Sequence, residues 1–288
     1  MKPDGSDVYV LLHHDRSNDY YKQAYQNCRW SPNKGMLVVE GGPGSTNDLK
    51  PLWLMDPSKG RVRELTWNGR SPFWTPDGQH IIYSHNRWFL SPIWDFYKIN
   101  ISSLEIDTVL WVETGPPGSN SWYGYQLYGI FPQDGTKLLM LEWFTYQDTT
   151  GIQVDDDDEI IIYDYDLKHK TYLTNNTLNE GWCSVSSDGA FIAYTRQNPQ
   201  IYPYTNNVIL MTADGDSVRQ LTSGLSDVYR HPVWSPDGQY LALYKKDQSE
   251  GYNPYGEIVV LELQTGTMDT LTHTAHLDSI GYVIAEWR

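Results

Sequence analysis

Several polar stretches of this sequence carry aromatic side chains where loops usually carry few. Trp88, Phe89 and Trp94 lie between residues 87 and 94, and Tyr146 lies in the segment 144–158. Tyr202 and Tyr204 fall between 198 and 204, and Tyr252 and Tyr255 between 251 and 255. The stretch 113–126 adds Trp122, Tyr123 and Tyr125. Rings with a polar edge can stack on sugars or clamp extended, proline-rich peptides. They can equally pack on one another and stiffen long loops. Arg70 and Arg230 offer a complementary chemistry, because a planar guanidinium grips a carboxylate or a peptide terminus. The run Asp155, Asp156, Asp157, Asp158 presents hard oxygens of the kind that bind calcium. It lacks the spaced Asp-x-Asp-x-Asp-Gly of a calcium loop, so a solvated charge run is the plainer account.

Catalytic patterns do not emerge alongside these binding chemistries. The carboxylates Asp95, Asp148, Asp155 and Asp227 cannot be sorted into acid and base partners from their spacing. His13, His14, His85 and His231 are scattered, and a metal site would need them to converge in space. The chain contains no Gly-x-Ser-x-Gly nucleophile elbow, phosphate loop, dinucleotide fingerprint or zinc spacing. No cofactor is implied, apart from calcium at the acidic run.

Bulk properties narrow the partners. The 288 residues carry a formal net charge of −15, with 36 acidic and 21 basic side chains. No Lys/Arg cluster supplies the basic footprint that nucleic acid requires, so nucleic acid is set aside. No run of 18 apolar residues marks a membrane-inserted helix. The composition includes 12 Trp and 22 Tyr against 6 Phe, which favours half-buried strands. Cys28 and Cys183 occupy the same repeat position three units apart, too distant for a disulfide, so both are expected as free thiols.

The elements that position these residues follow from an internal repeat. Trp234-Ser235-Pro236-Asp237-Gly238 and Trp74-Thr75-Pro76-Asp77-Gly78 each lead into an alternating apolar strand. Weaker copies begin at Trp30, Pro132, Ser186 and Pro3. Pro presets a turn, Asp caps it and Gly takes the positive φ that closes it, so each copy is a hairpin. A second hairpin follows, ending in Leu65-Thr66, Leu173-Thr174, Leu221-Thr222 or Leu271-Thr272. Two hairpins make a four-stranded unit, and 288 residues over six units give 48 each, the size of a propeller blade.

The ends of the chain complement each other. Tyr282–Trp287 reads as an inner strand without its turn, while Pro3–Leu12 reads as a turn and strand without an inner partner. The expected fold is therefore all-β: one domain over 1–288, a six-bladed propeller of four-stranded antiparallel blades closed by N- and C-terminal strands. Gly5 and Gly35 are too close for a full blade, so the first blade is abbreviated, with residues 13–27 forming a reduced outer hairpin. Arg70 and Arg230 enter inner strands and are expected to project toward the central channel. The aromatic loops are expected together on the face opposite the Pro-Asp-Gly turns.

The repeat resembles the TolB-like propellers, WD-like repeats bearing a Ser-Pro-Asp-Gly turn, and the resemblance spans nearly the whole chain. It implies a non-catalytic, extracytoplasmic binding module, periplasmic or secreted, that recognises a protein or peptide through its loop face or channel. The alternatives are carbohydrate recognition on the same aromatic face, or a propeller-type polysaccharide lyase or glycosidase. Prolyl oligopeptidases and dipeptidyl peptidases carry a similar propeller beside a hydrolase domain, whose elbow motif this sequence lacks.

Overall fold

The computed structural model describes residues 25–33, 35–41, 50–86, 94–112, 122–133, 135–147, 153–155, 158–198, 205–224, 226–247 and 256–272. Among them every regular element is a strand, and no helix is long and apolar enough to cross a membrane. The first sheet contains β1 (Tyr25–Trp30), β2 (Leu37–Gly41), β3 (Leu52–Asp56) and β4 (Arg61–Thr66). The second contains β5 (Arg70–Trp74), β6 (His80–Asn86), β7 (Trp94–Asn100) and β8 (Ile106–Leu110). The third contains β9 (Trp122–Ile130), β10 (Lys137–Gln147), β11 (Gln153–Asp155), β12 (Glu159–Asp164) and β13 (His169–Tyr172). The fourth runs through β14 (Glu180–Val185), β15 (Phe191–Asn198), β16 (Thr205–Thr212) and β17 (Arg219–Gln220). The fifth runs through β18 (Asp227–Trp234), β19 (Tyr240–Asp247), β20 (Glu257–Glu262) and β21 (Met268–Thr270). Pairing within each sheet is antiparallel between neighbours, and one parallel bridge, Asn206 to Val228, links the fourth sheet to the fifth.

The turn motif builds each inner hairpin through one repeated network. Ser235 Oγ donates to Asp237 Oδ1 (2.6 Å) and accepts the Tyr240 amide (2.9 Å), while Asp237 Oδ1 accepts the Gln239 amide (3.0 Å). Gly238 closes the turn at φ +70°, where a side chain would be strained. The same bonds recur around Thr75 and Asp77 and around Ser186 and Asp188. The hydroxyl bond holds the Asp237 carboxyl below its ordinary range. Ser235→Ala orphans the Tyr240 amide in a site only 3% exposed, at a cost of about 1–2 kcal/mol. Urea unfolding should show that loss, and an unchanged midpoint would mean the turn does not depend on the hydroxyl.

The Leu-Thr ending of the second hairpin has a comparable role. Thr174, Thr222 and Thr272 each accept through Oγ1 an amide of the strand beside them, from Ile160, Val208 and Ile258 at 2.8, 2.9 and 2.8 Å.

Period-two alternation then stacks the sheets in chain order. Ile81 and Tyr83 pack on Val38, Leu52 and Leu54 of the first sheet, while Ile82 and Phe96 pack the other way on Leu138, Met140 and Ile161 of the third. Leu139 and Leu141 meet Ile192 and Tyr194 of the fourth sheet, whose Ala193 and Val208 meet Leu241 and Leu243 of the fifth. Both faces of the middle sheets are buried, which is why their second strands read as nearly unbroken apolar runs. Trp74 and Trp234 donate from Nε1 to the inner strand of the preceding sheet, at Arg29 O (3.0 Å) and Ser184 O (3.2 Å).

Three boundaries differ from expectation. Residues 25–27 belong to β1 and not to a preceding outer hairpin, because Tyr25 and Gln26 pair with Gly41 and Glu40. The stretch 113–126 is not loop to its end: β9 begins at Trp122 and pairs with β10. The stretch 144–158 contains a hairpin extension, with Thr145, Tyr146 and Gln147 of β10 paired to β11. The segments 1–24 and 273–288, which carry the expected sixth unit, lie outside the described residues. Cys28 and Cys183 are free, and burial raises both thiols.

Candidate binding site at the channel

The five first strands β1, β5, β9, β14 and β18 surround one cavity of about 490 Å³. Each carries a register irregularity at the same place, about three residues before the turn motif. The bulge residues are Asn27, Ser71, Trp182 and His231, with φ of +46°, +48°, +42° and +51°, and Tyr128 takes the corresponding place in β9. A bulge adds an unpaired residue and re-aims its side chain. All five of these residues line the cavity.

The wall this creates is partly aromatic. The His231 and Trp182 rings lie 3.9 Å apart between centroids, and Tyr128 meets Trp182 edge-on at 6.3 Å. Burial, reinforced by Arg230 and Arg29, drives the His231 pKa down to about 4, so the ring is neutral at physiological pH. Arg29 borders the same space, with its guanidinium 4.7 Å from the centre of the Phe73 ring. Behind the wall, buried Glu40 ties two bulges together: it accepts Asn27 Nδ2 (2.6 Å) and the Ser71 amide (2.9 Å), and Lys50 stands 3.6 Å away. Toward one end the cavity reaches the turn residues Pro32, Ser187 and Pro236.

Sheets stacked in chain order around a shared inner-strand cavity have clear counterparts among solved structures. A TolB described as putative, from Agrobacterium tumefaciens, matches with a TM-score of 0.62 at 16% identity, over 87% of this chain and 81% of that one. TolB from Acinetobacter baumannii matches with a TM-score of 0.56 at 17% identity, over 88% of this chain and 53% of that one. This chain has the TolB-like β-propeller fold. An oligogalacturonate lyase solved with manganese shares it as well, with a TM-score of 0.56 at 16% identity over 86% of this chain and 64% of that one. No protein-family model and no curated protein matches the sequence.

Of the sequence-derived candidates among the described residues, Arg70, Arg230 and Tyr125 are not part of the cavity lining. Arg70 is on β5 but does not line the wall; its guanidinium lies over the half-buried Trp94, 4.6 Å from the ring centre. Arg230 is exposed on β18 and is likewise not a lining residue. Arg29 is the arginine among the described lining residues. Tyr125 sits within β9, where its hydroxyl donates to Glu142 Oε1 (2.6 Å) and receives Lys170 Nζ (3.1 Å). Trp122 and Tyr123 open β9, and Tyr146 lies near the end of β10. Trp88, Phe89, Tyr202, Tyr204, Tyr252 and Tyr255 lie outside the described residues. Of the acidic run, Asp155 ends β11, Asp158 is half-buried, and Asp156 and Asp157 lie outside the described residues. Among the described residues, no three His, Cys, Asp or Glu side chains form a metal-holding group.

Sequence reading missed Asn27, Arg29, Ser71, Tyr128 and Trp182 as wall residues. These side chains share no chemistry. Only a count of three residues back from the motif tryptophan or the residue in its place (Phe131 and Val185), or one for Arg29, would have gathered them.

Proposed function

We propose that the chain is a non-catalytic binding module that takes an extended peptide segment of a protein partner into its channel. One observation carries this reading. Five inner strands present re-aimed side chains to a single cavity of about 490 Å³, within the roughly 300–1,000 Å³ typical of ligand pockets. Trp182 stands at its aromatic wall between Tyr128 and His231, and such anchors dominate peptide recognition energies. The likeness to TolB supports the fold that frames the cavity. The sequence supports a six-bladed ring in which segments 273–288 and 1–12 complete the circle. An extracytoplasmic location follows from the same resemblance.

The test is a peptide library panned on the immobilised protein, with selected peptides re-measured by titration calorimetry. Saturable binding is expected, and Trp182→Ala should weaken it at least about tenfold, the scale of losing a buried aromatic anchor. Equal affinity for the variant would remove the channel from the reading. A Trp emission shift with neutral oligosaccharides, absent with peptides, would replace peptide by carbohydrate.

A further inference from the structure

We infer that a hard divalent cation, magnesium or calcium, binds between Glu159 and Glu180 at the junction of the third and fourth sheets. Glu159 opens β12 and Glu180 opens β14. Asn176, on the connection between the two sheets, bridges them. Its amide donates to Glu159 Oε1 (2.8 Å) and its Nδ2 to Glu180 Oε1 (3.2 Å). One short residue thus spans both carboxylates. Burial raises the Glu180 pKa, and the Glu159 charge lies close enough to raise it further.

The second oxygen of each carboxylate makes the site. Glu159 Oε2 and Glu180 Oε2 are both buried, and among the described residues neither has a hydrogen-bond partner. The Glu180 side chain is 0% exposed. A bare anionic oxygen shut away from water is costly unless it is paired or coordinates a metal. Glu180 has Arg196 Nε at 3.0 Å on its first oxygen. Glu159 makes no ion pair among the described residues, and its donor is the uncharged Asn176 amide. Directly across the β10–β12 pair stands Glu142, which holds Lys170 Nζ at 2.7 Å on Oε1 and likewise has a bare Oε2. Three carboxylates therefore share two cations, Lys170 and Arg196, and the charge left over is that of Glu159. Like charges opposed across a sheet repel, so this corner calls for one more cation.

The donor set selects the kind of ion. Both ligands are carboxylate oxygens, which suit magnesium and calcium and not the softer metals that seek thiolate or imidazole. Two carboxylates do not fill a coordination shell, so water must supply most of the rest, the usual pattern for magnesium. The run Asp155–Asp158 immediately precedes Glu159 in the chain. Its field draws cations toward this corner, while the bare oxygens hold them.

Terbium, a hard luminescent stand-in for either ion, tests the site on the full chain. Tyr194, whose hydroxyl accepts Arg196 Nη2 at 2.6 Å, is an antenna beside Glu180. Excitation of the aromatic rings should give saturable terbium emission that calcium or magnesium displaces. Glu159→Gln keeps an acceptor for the Asn176 amide and should weaken terbium at least about tenfold, the scale of one lost charged contact. Replacing Asp155, Asp156 and Asp157 together by Asn should not. Calcium or magnesium should raise the thermal midpoint of the parent but not of Glu159→Gln. The metal-free variant should melt no lower than the metal-free parent, because a repelling charge is gone. Emission that survives Glu159→Gln, or that the triple variant abolishes, overturns the assignment and moves the ion to the acidic run. Absence of both saturable emission and a midpoint shift overturns it too. A lower midpoint for the metal-free variant does the same, since Glu159 would then already be compensated.

Discussion

Trp234→Ala is expected to lower the unfolding free energy by about 3–5 kcal/mol, the range for truncating a well-packed large aromatic. The indole is 8% exposed and packs with Leu210, Tyr229, Leu241 and Leu261 between the fourth and fifth sheets. Its Nε1 also donates across that boundary to Ser184 O on β14 (3.2 Å). Alanine therefore opens a cavity and orphans a carbonyl at once. Trp234→Phe separates the two contributions, keeping much of the apolar area while losing the bond. It should cost less, about 1–2 kcal/mol, from the missing hydrogen bond and the smaller ring. Because each sheet contacts mainly its chain neighbours, the alanine variant should also unfold less cooperatively. Urea melts followed by far-UV dichroism, with slope as well as midpoint, read both effects. Equal losses for the two variants would assign the stabilisation to the hydrogen bond and not to packing.

The same tryptophan position explains what could be read from sequence. Trp30, Trp74 and Trp234 precede a turn whose chemistry is local: the hydroxyl, the Asp carboxylate and the Gly φ act within six residues. Local rules survive translation into sequence patterns, so the four-stranded unit and its repetition were legible. The strand bearing Ile81, Ile82 and Tyr83 was legible for a similar reason, since a sheet buried on both faces shows as an apolar run.

The cavity wall was not legible, and the bulge is the reason. It inserts one unpaired residue, so alternation counted along the inner strand loses phase as it crosses Ser71 or His231. Arg70 and Arg230 precede the bulge and fall outside the lining, while Arg29 follows it and falls inside. Counting charged residues on inner strands therefore does not by itself say which of them line this cavity. Aromatic content likewise does not reveal that Tyr125 lies within a strand with its hydroxyl bonded to Glu142.

The wall also carries a pH signature. The folded pKa of His231 is about 4, against an ordinary value of 6.5, mainly because burial disfavours the cation and then because Arg230 and Arg29 repel it. Below pH 6.5 the unfolded chain binds this proton first, so stability falls as pH drops from 6.5 toward 4 and levels once both states are protonated. The full loss from this group is on the order of 3 kcal/mol. His85, whose pKa is also lowered by burial, adds a contribution of the same sign. Glu180 works oppositely: burial raises its pKa, so its protonation favours the folded state near the acid end of the window. Asp188 and Asp237 have depressed carboxyls, whose contributions are lost only below the ordinary carboxylate range. Among the described groups with resolved shifts, the interval between 6.5 and about 4.5 therefore belongs chiefly to the histidines. His231→Asn tests this assignment, since Asn tolerates the +51° backbone and does not titrate. Losing the stack on Trp182 should lower the variant's stability throughout, but its curve should flatten across this interval relative to the parent, with the contributions of His85 and Glu180 unchanged. Urea midpoints taken between pH 4.5 and 7.5 measure both curves, and a variant slope equal to that of the parent would show that His231 is not held neutral by the channel wall.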